Sequence, residues 1–201
     1  MLDGLIRRRL DPVLDRLGRA LAARGIGADV VTIAGLALAI AAAIAIAAGA
    51  PAAALVLMLA SRLADGLDGA VARATVRTDF GGLLDIVCDF VFYAAIPLGF
   101  ALNDPAGNAV AAAVLLTAFY VNGASFLGFA VMAAKRGLET TARGPKSLYF
   151  TTGLAEGSET IATFAAMLLA PAWFPPLAYG FAALCLATTL ARMALAWRLF
   201  R

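Results

Sequence analysis

The sequence predicts an all-α integral membrane protein, with six transmembrane helices preceded by an N-terminal amphipathic helix in the membrane interface. Three observations carry that prediction. Of 201 residues, 63% are hydrophobic and 14% charged, against about 25% charged in ordinary soluble domains, and the mean hydropathy is +0.89. The apolar residues gather into runs separated by short connections, and at roughly 20 residues per span the chain has room for about six. Lys and Arg outside the spans precede the first, mark the second and fourth connections and follow the last, whereas the connections around Pro51, 103–108 and 171–176 contain none. By the positive-inside rule both termini are cytoplasmic, which supports an even span count independently of hydropathy.

Residues 1–24 lack the continuous apolar core of a signal peptide and carry Asp3, Asp11 and Asp15 among their arginines. Leu2, Ile6, Leu10, Leu14, Leu17 and Leu21 recur at helical spacing with Arg7, Arg8, Arg9, Arg16 and Arg19 between them. This is the pattern of a cytoplasmic juxtamembrane helix lying in the headgroup plane, which Pro12 is expected to kink or interrupt. Residues 25–201 form one membrane domain. Its spans are expected near 30–48, 52–73, 80–102 and 108–134, with a fifth beginning near Ser147 and a sixth at 177–197. On the fourth, Asn122 and Ser125 share a face and read as interhelical hydrogen-bonding groups; Trp173 and Trp197 read as anchors at opposite interfaces. Cys88 and Cys185 lie in apolar runs without ligand spacing and read as small core residues. The chain contains no histidine, so any chemistry runs on carboxylates, other oxygen ligands, Arg and Lys.

The costly feature is four aspartates, Asp65, Asp68, Asp85 and Asp89, in sequence otherwise fit for the bilayer. Each costs at least about 2.5 kcal/mol near a bilayer centre, so such residues face a bundle interior or a wet cavity. The second span descends to the cytoplasm and the third returns from it. At 1.5 Å per residue, Asp65 and Asp68 lie roughly 12 and 8 Å above Arg73, and Asp85 and Asp89 roughly 6 and 12 Å above Gly81. Spacings of three and four place each pair on one helix face. Four converging carboxylates require positive charge. All-oxygen ligation selects Mg²⁺ or Mn²⁺, and magnesium is commonly shared between carboxylates and substrate phosphates. Gly66, Gly69 and Ala72 allow close approach, and Arg73 can clamp a phosphate. Two alternatives stand beside this reading: ion pairs of the aspartates with Arg62, Arg73 and Arg77, and an ion- or proton-coupled carrier.

The run Asp65-x-x-Asp68-Gly69-x-x-Ala72-Arg73 followed by Gly81-x-x-x-Asp85-x-x-x-Asp89 resembles the signature of the CDP-alcohol phosphotransferases (CDP-alcohol phosphatidyltransferases), with every fixed residue present. The gap from Arg73 to Gly81 is one residue shorter than in many members. The resemblance implies a metal-dependent enzyme that passes a phosphatidyl group from a CDP-linked lipid such as CDP-diacylglycerol to an alcohol and releases CMP. It implies two Mg²⁺ or Mn²⁺ ions held by Asp65, Asp68, Asp85 and Asp89, with Asp89 also the catalytic base. Asp68, Gly69, Ala72, Arg73 and Gly81 would contact the cytidine diphosphate. It further implies a homodimer among membrane lipids, without nucleic-acid partners, in a bacterial inner membrane. The segment Ala28–Thr32, ADVVT, stands where many members read Pro-Asn-x-x-Thr, so Asp29 replaces the asparagine.

The distal half holds the expected acceptor pocket. Arg143 and Lys146 lie in a basic cytoplasmic loop suited to an anionic group, and Thr152, Glu156 and Glu159 form a polar stripe at helical period. Several family branches carry Gly-x-x-x-Arg in this region, whereas here Gly153 is followed by Gly157. The combination of Lys146-Ser147, Gly153-Leu154 and Glu156-Gly157-x-Glu159-Thr160-Ile161 resembles a bacterial inner-membrane branch with no assigned acceptor.

Overall fold

The computed structural model describes the backbone of residues 2–137 and 157–201 and the side chains of 11–137 and 157–201. Among these residues the chain is helical, without strands. The elements are α1 (Leu2–Ala23), α2 (Ala28–Ala47), α3 (Pro51–Ala74), α4 (Asp79–Asn103), α5 (Pro105–Lys135), α6 (Gly157–Leu169), a 3-10 turn at Pro171–Trp173 and α7 (Phe174–Phe200).

The helix ends follow from their punctuation. Gly49, at φ +76°, closes α2: its N–H reaches the Ile46 carbonyl and the Ala50 N–H reaches that of Ala45, both at 2.9 Å. This is a Schellman turn, whose left-handed position suits glycine. Pro51 then opens α3 at a position that needs no N–H. Thr78 caps α4, its hydroxyl accepting from the Gly81 N–H at 3.0 Å, and Asp104 caps α5 by accepting from the Gly107 N–H at 3.0 Å.

Six spans are expected; among the described residues four stretches, Ala28–Ala47, Asp79–Asn103, Pro105–Lys135 and Pro171–Phe200, are long and apolar enough to cross a membrane. Helix α3 has the length, at 24 residues, but its polar half carries Arg62, Asp65, Asp68 and Arg73, which lowers its hydropathy. Within the described residues α6 is 13 residues long.

Pro12 does not interrupt α1, which runs through it, since a proline removes one N–H from a 22-residue ladder and the rest of the helix packs against α3. There a Cβ on Gly18 would stand 2.7 Å from the Ala70 Cβ and 2.8 Å from its carbonyl carbon. Leu14 is buried beside Gly66, so part of the leucine stripe faces protein, while Val13 and Leu17 remain exposed.

Helices α3 and α4 lie against α2, and α5 packs on α7. The core between them gathers Met58, Phe92, Ile96, Leu115, Phe164 and Phe181, with Phe100 stacked on Phe174 at 4.3 Å between centroids. Cys88 and Cys185 are free and buried, as expected of core thiols. Asn122 and Ser125 make the expected interhelical bonds: Arg192 Nη1 of α7 donates to the Asn122 side-chain oxygen at 2.9 Å and to the Ser125 hydroxyl. Large apolar side chains such as Val30, Ile44, Val56 and Leu190 point outward, as they do where the surrounding solvent is lipid.

Candidate active site

Antiparallel α3 and α4 bring the signature together. They are joined by a four-residue turn at 75–78. Asp65 from α3 and Asp85 and Asp89 from α4 each offer a carboxylate oxygen, all within 4.8 Å of one another. The spacing of four on α4 puts its two acids on consecutive turns of one face. A group of this width, built from oxygen alone, fits a hard divalent cation.

Asp68 stands outside that group. It is 6% exposed, and its Oδ2 accepts a 2.6 Å hydrogen bond from the Thr32 hydroxyl of α2, within the usual range for O–H···O bonds. All four acids are expected on one site; the structure groups three, and the fourth, also on α3, is held against α2 through Thr32.

Arg62 sits among the acids. Its Nη1 donates to Asp89 Oδ1 at 2.7 Å and to Asp65 Oδ1 at 3.4 Å, and Nη2 donates to the Ser61 hydroxyl at 3.2 Å. The guanidinium carbon lies 3.7 Å from the centroid of the Phe92 ring, and the buried Nε has no hydrogen-bond partner. The sequence reading treated ion pairing and metal binding as alternatives. Here the same carboxylates have both an arginine and the geometry for a metal. Arg73 does not join them: its Nη2 and Nε donate to Asp15 Oδ1 of α1 at 2.7 and 3.2 Å, at a half-exposed position.

The residues expected to touch a nucleotide lie toward the end of the pair that carries the 75–78 turn. A Cβ on Gly69 would stand 3.4 Å from Arg73 Nη1, and one on Gly81 would stand 3.1 Å from both Asp29 Oδ1 and Thr78 Oγ1. Gly81 therefore keeps open the point where α2 and α4 meet, and Asp29 lies beside it. Ala72 is partly exposed on the next turn. Of the expected acceptor pocket, Glu159 lies in the first turn of α6, accepting from the Ser158 hydroxyl at 2.9 Å. Neighbouring Gly157 approaches Tyr93, whose hydroxyl would lie 3.9 Å from an added Cβ, one turn along α4 from Asp89. Arg143, Lys146, Thr152 and Glu156 lie outside the described residues.

Arg62, three residues before Asp65 at the spacing of an ion pair on one helix face, is among the partners the sequence offers the aspartates. The bond from Thr32, the threonine of the ADVVT segment, to Asp68 is announced by neither helix of the pair.

Comparison with known proteins agrees with the geometry. The sequence profile described as CDP-alcohol phosphatidyltransferase matches residues 25–197. The chain is 46% identical to the inner membrane protein YnjF of Escherichia coli (strain K12), over 96% of this chain and 94% of that protein. It is 32% identical over 99 residues to an archaetidylinositol phosphate synthase of Pyrococcus horikoshii, covering 49% of this chain and 53% of that one. Among solved structures, the phosphatidylinositol phosphate synthase of Mycobacterium tuberculosis with CDP-DAG bound superposes with a TM-score of 0.73 at 22% identity, covering 92% of this chain and 94% of that one. The same enzyme in complex with manganese and citrate superposes equally well, at a TM-score of 0.73. The fold is thus shared with that synthase, and with a profile match that spans most of its length the chain belongs to the CDP-alcohol phosphatidyltransferases, a family of enzymes.

Proposed function

We propose that this protein transfers a phosphatidyl group from a CDP-diacylglycerol-type donor to a small alcohol and releases CMP, as a step of phospholipid biosynthesis. The observation that carries this reading is the Asp65, Asp85 and Asp89 group, shared by two antiparallel helices. The solved relative that holds CDP-DAG has the same fold, which supports the donor assignment. Family membership favours the transferase over the ion-coupled carrier.

Asp65, Asp85 and Asp89, with Asp68 beside them, would hold Mg²⁺ or Mn²⁺, and the manganese complex of the solved relative supports that choice. When bound, such ions neutralise the pyrophosphate and the charge building on departing CMP. The chain's own groups supply the rest. Arg73, with Gly69, Ala72 and Gly81 leaving room for close approach, receives the cytidine diphosphate together with Asp68. Asp89 takes the proton of the acceptor hydroxyl as its oxygen attacks the lipid-side phosphorus. The bond from that phosphorus to the CMP oxygen breaks, and CMP leaves with its electron pair. Proximity and in-line alignment contribute most of the remaining rate.

The acceptor would enter along α6, past Glu159, with Arg143, Lys146, Thr152 and Glu156 contributing from the preceding segment. Gly157 in place of an arginine weakens the case for a phosphorylated acceptor, for which Arg143 or Lys146 would have to supply the positive charge. We further propose that α3 and the α6 region complete a six-span fold at residues 25–201, that residues 1–24 lie in the cytoplasmic interface, and that both termini are cytoplasmic. A homodimer in the bacterial inner membrane, where the Escherichia coli relative's name places that protein, completes the reading.

The test is release of CMP from CDP-diacylglycerol by purified protein with Mg²⁺ or Mn²⁺ and a panel of alcohols, phosphorylated and not. Metal-dependent CMP formation with at least one acceptor is expected. No CMP with any acceptor, together with no binding of the donor, would overturn the proposal.

A further inference from the structure

A buried arginine is costly unless its charge is used. Arg62 is held in the helix bundle from several directions. Its side chain is 11% exposed, its guanidinium lies on the face of Phe92, which is fully buried, and its Nη2 is anchored on Ser61. Ser61 is itself fixed, donating to the Gly35 carbonyl of α2 at 2.8 Å. Aromatic face, hydroxyl and two carboxylates thus define a seat for one cation.

The two carboxylates are those of Asp65 and Asp89, which with Asp85 make the group suited to a divalent ion. We propose that Arg62 is a built-in cation of this site: it keeps Asp65 and Asp89 together when no divalent ion is present and opposes the ion's entry when one arrives, so that it sets how loosely the ion is held. The inference rests on the reading of these aspartates as ion ligands. Its physical basis is that a fixed positive charge touching the ligand oxygens attracts them as the ion does and repels the ion itself. Arg62 is thereby a positioning residue, acting through Asp65 and Asp89.

The experiment is titration of the full-length protein in detergent with Mn²⁺ alone, read by electron paramagnetic resonance of the free ion. It compares native protein with Arg62→Gln, Arg62→Met and Arg62→Lys, each checked for folding by gel filtration and melting. The Gln and Met variants are expected to bind Mn²⁺ at least about fivefold more tightly, and Lys within about twofold of native, since charge near the ligands decides the difference. Unchanged or weaker binding in both neutral variants overturns the inference while leaving the metal reading intact. No Mn²⁺ binding to the native protein overturns both. A second measurement needs no neutral variant: diamagnetic Mg²⁺ should shift the guanidinium ¹⁵N resonance of native Arg62, assigned by its loss in the Lys variant. An unshifted resonance at saturating Mg²⁺ also contradicts the proposal.

Discussion

Replacing Thr32 by valine keeps the shape of the side chain and removes its hydroxyl. Thr32 and Asp68 are 7% and 6% exposed, so water cannot readily replace the lost donor of the 2.6 Å bond between them. An intramolecular hydrogen bond contributes about 0.5–1.5 kcal/mol, and leaving a buried partner unsatisfied costs about 1–3 kcal/mol. About 2 kcal/mol in a chain of this size corresponds to roughly 4–8 °C in melting temperature. The assay is thermal unfolding in detergent with chelator present, on native protein, Thr32→Val, Asp68→Asn and the double variant. The single valine change should lower the midpoint by that amount, Thr32→Ser should restore most of it, and the double-variant cycle should give a coupling above about 1 kcal/mol. A valine variant as stable as native, or a coupling near zero, would refute the claim that α2 fixes Asp68 through this bond.

Asp89→Asn should retain donor binding and lose turnover, whereas Asp65→Asn should lose Mn²⁺ affinity; equal losses of donor binding in both would argue against separate roles. Asp15→Asn releases Arg73 from α1. Being a half-exposed pair, it should change stability by less than about 1 kcal/mol, while the apparent KM for the donor falls if Arg73 grips the diphosphate; an unchanged KM would remove Arg73 from donor binding. Gly18→Leu should lower stability by about 1–3 kcal/mol through overpacking, because a Cβ there meets the Ala70 backbone. Gly180→Ala, where an added Cβ meets nothing within 4 Å, should be neutral or stabilising in the same melting experiment.

Most of the helix boundaries were legible because their punctuation is local. Gly49 and Pro51, Thr78, and Asp104 with Pro105 each act through a turn or cap that needs only its immediate neighbours. The convergence of Asp65 with Asp85 and Asp89 was legible for a similar reason: two helical periods and one short turn determine it. What escaped the sequence depends on a third element. Asp68 is held by Thr32, 36 positions away on α2, and nothing in the α3–α4 hairpin announces that partner. Arg62 was visible as a charge at an ion-pair spacing, yet its seat requires Phe92 of α4. An interruption of α1 at Pro12 follows from propensity alone, whereas the contact of Leu14 and Gly18 with Gly66 and Ala70 carries the helix through it. The bond of Arg73 to Asp15 likewise depends on how α1 lies across α3.

The most direct test of the central claim is anomalous diffraction at the manganese edge from crystals of the protein grown with Mn²⁺ and a CDP-diacylglycerol donor. The account predicts density bonded to carboxylate oxygens of Asp65, Asp85 and Asp89, at about 2.0–2.6 Å as for hard divalent cations, with the diphosphate completing the coordination. Manganese located elsewhere, or none between α3 and α4 in crystals that contain the donor, would contradict it.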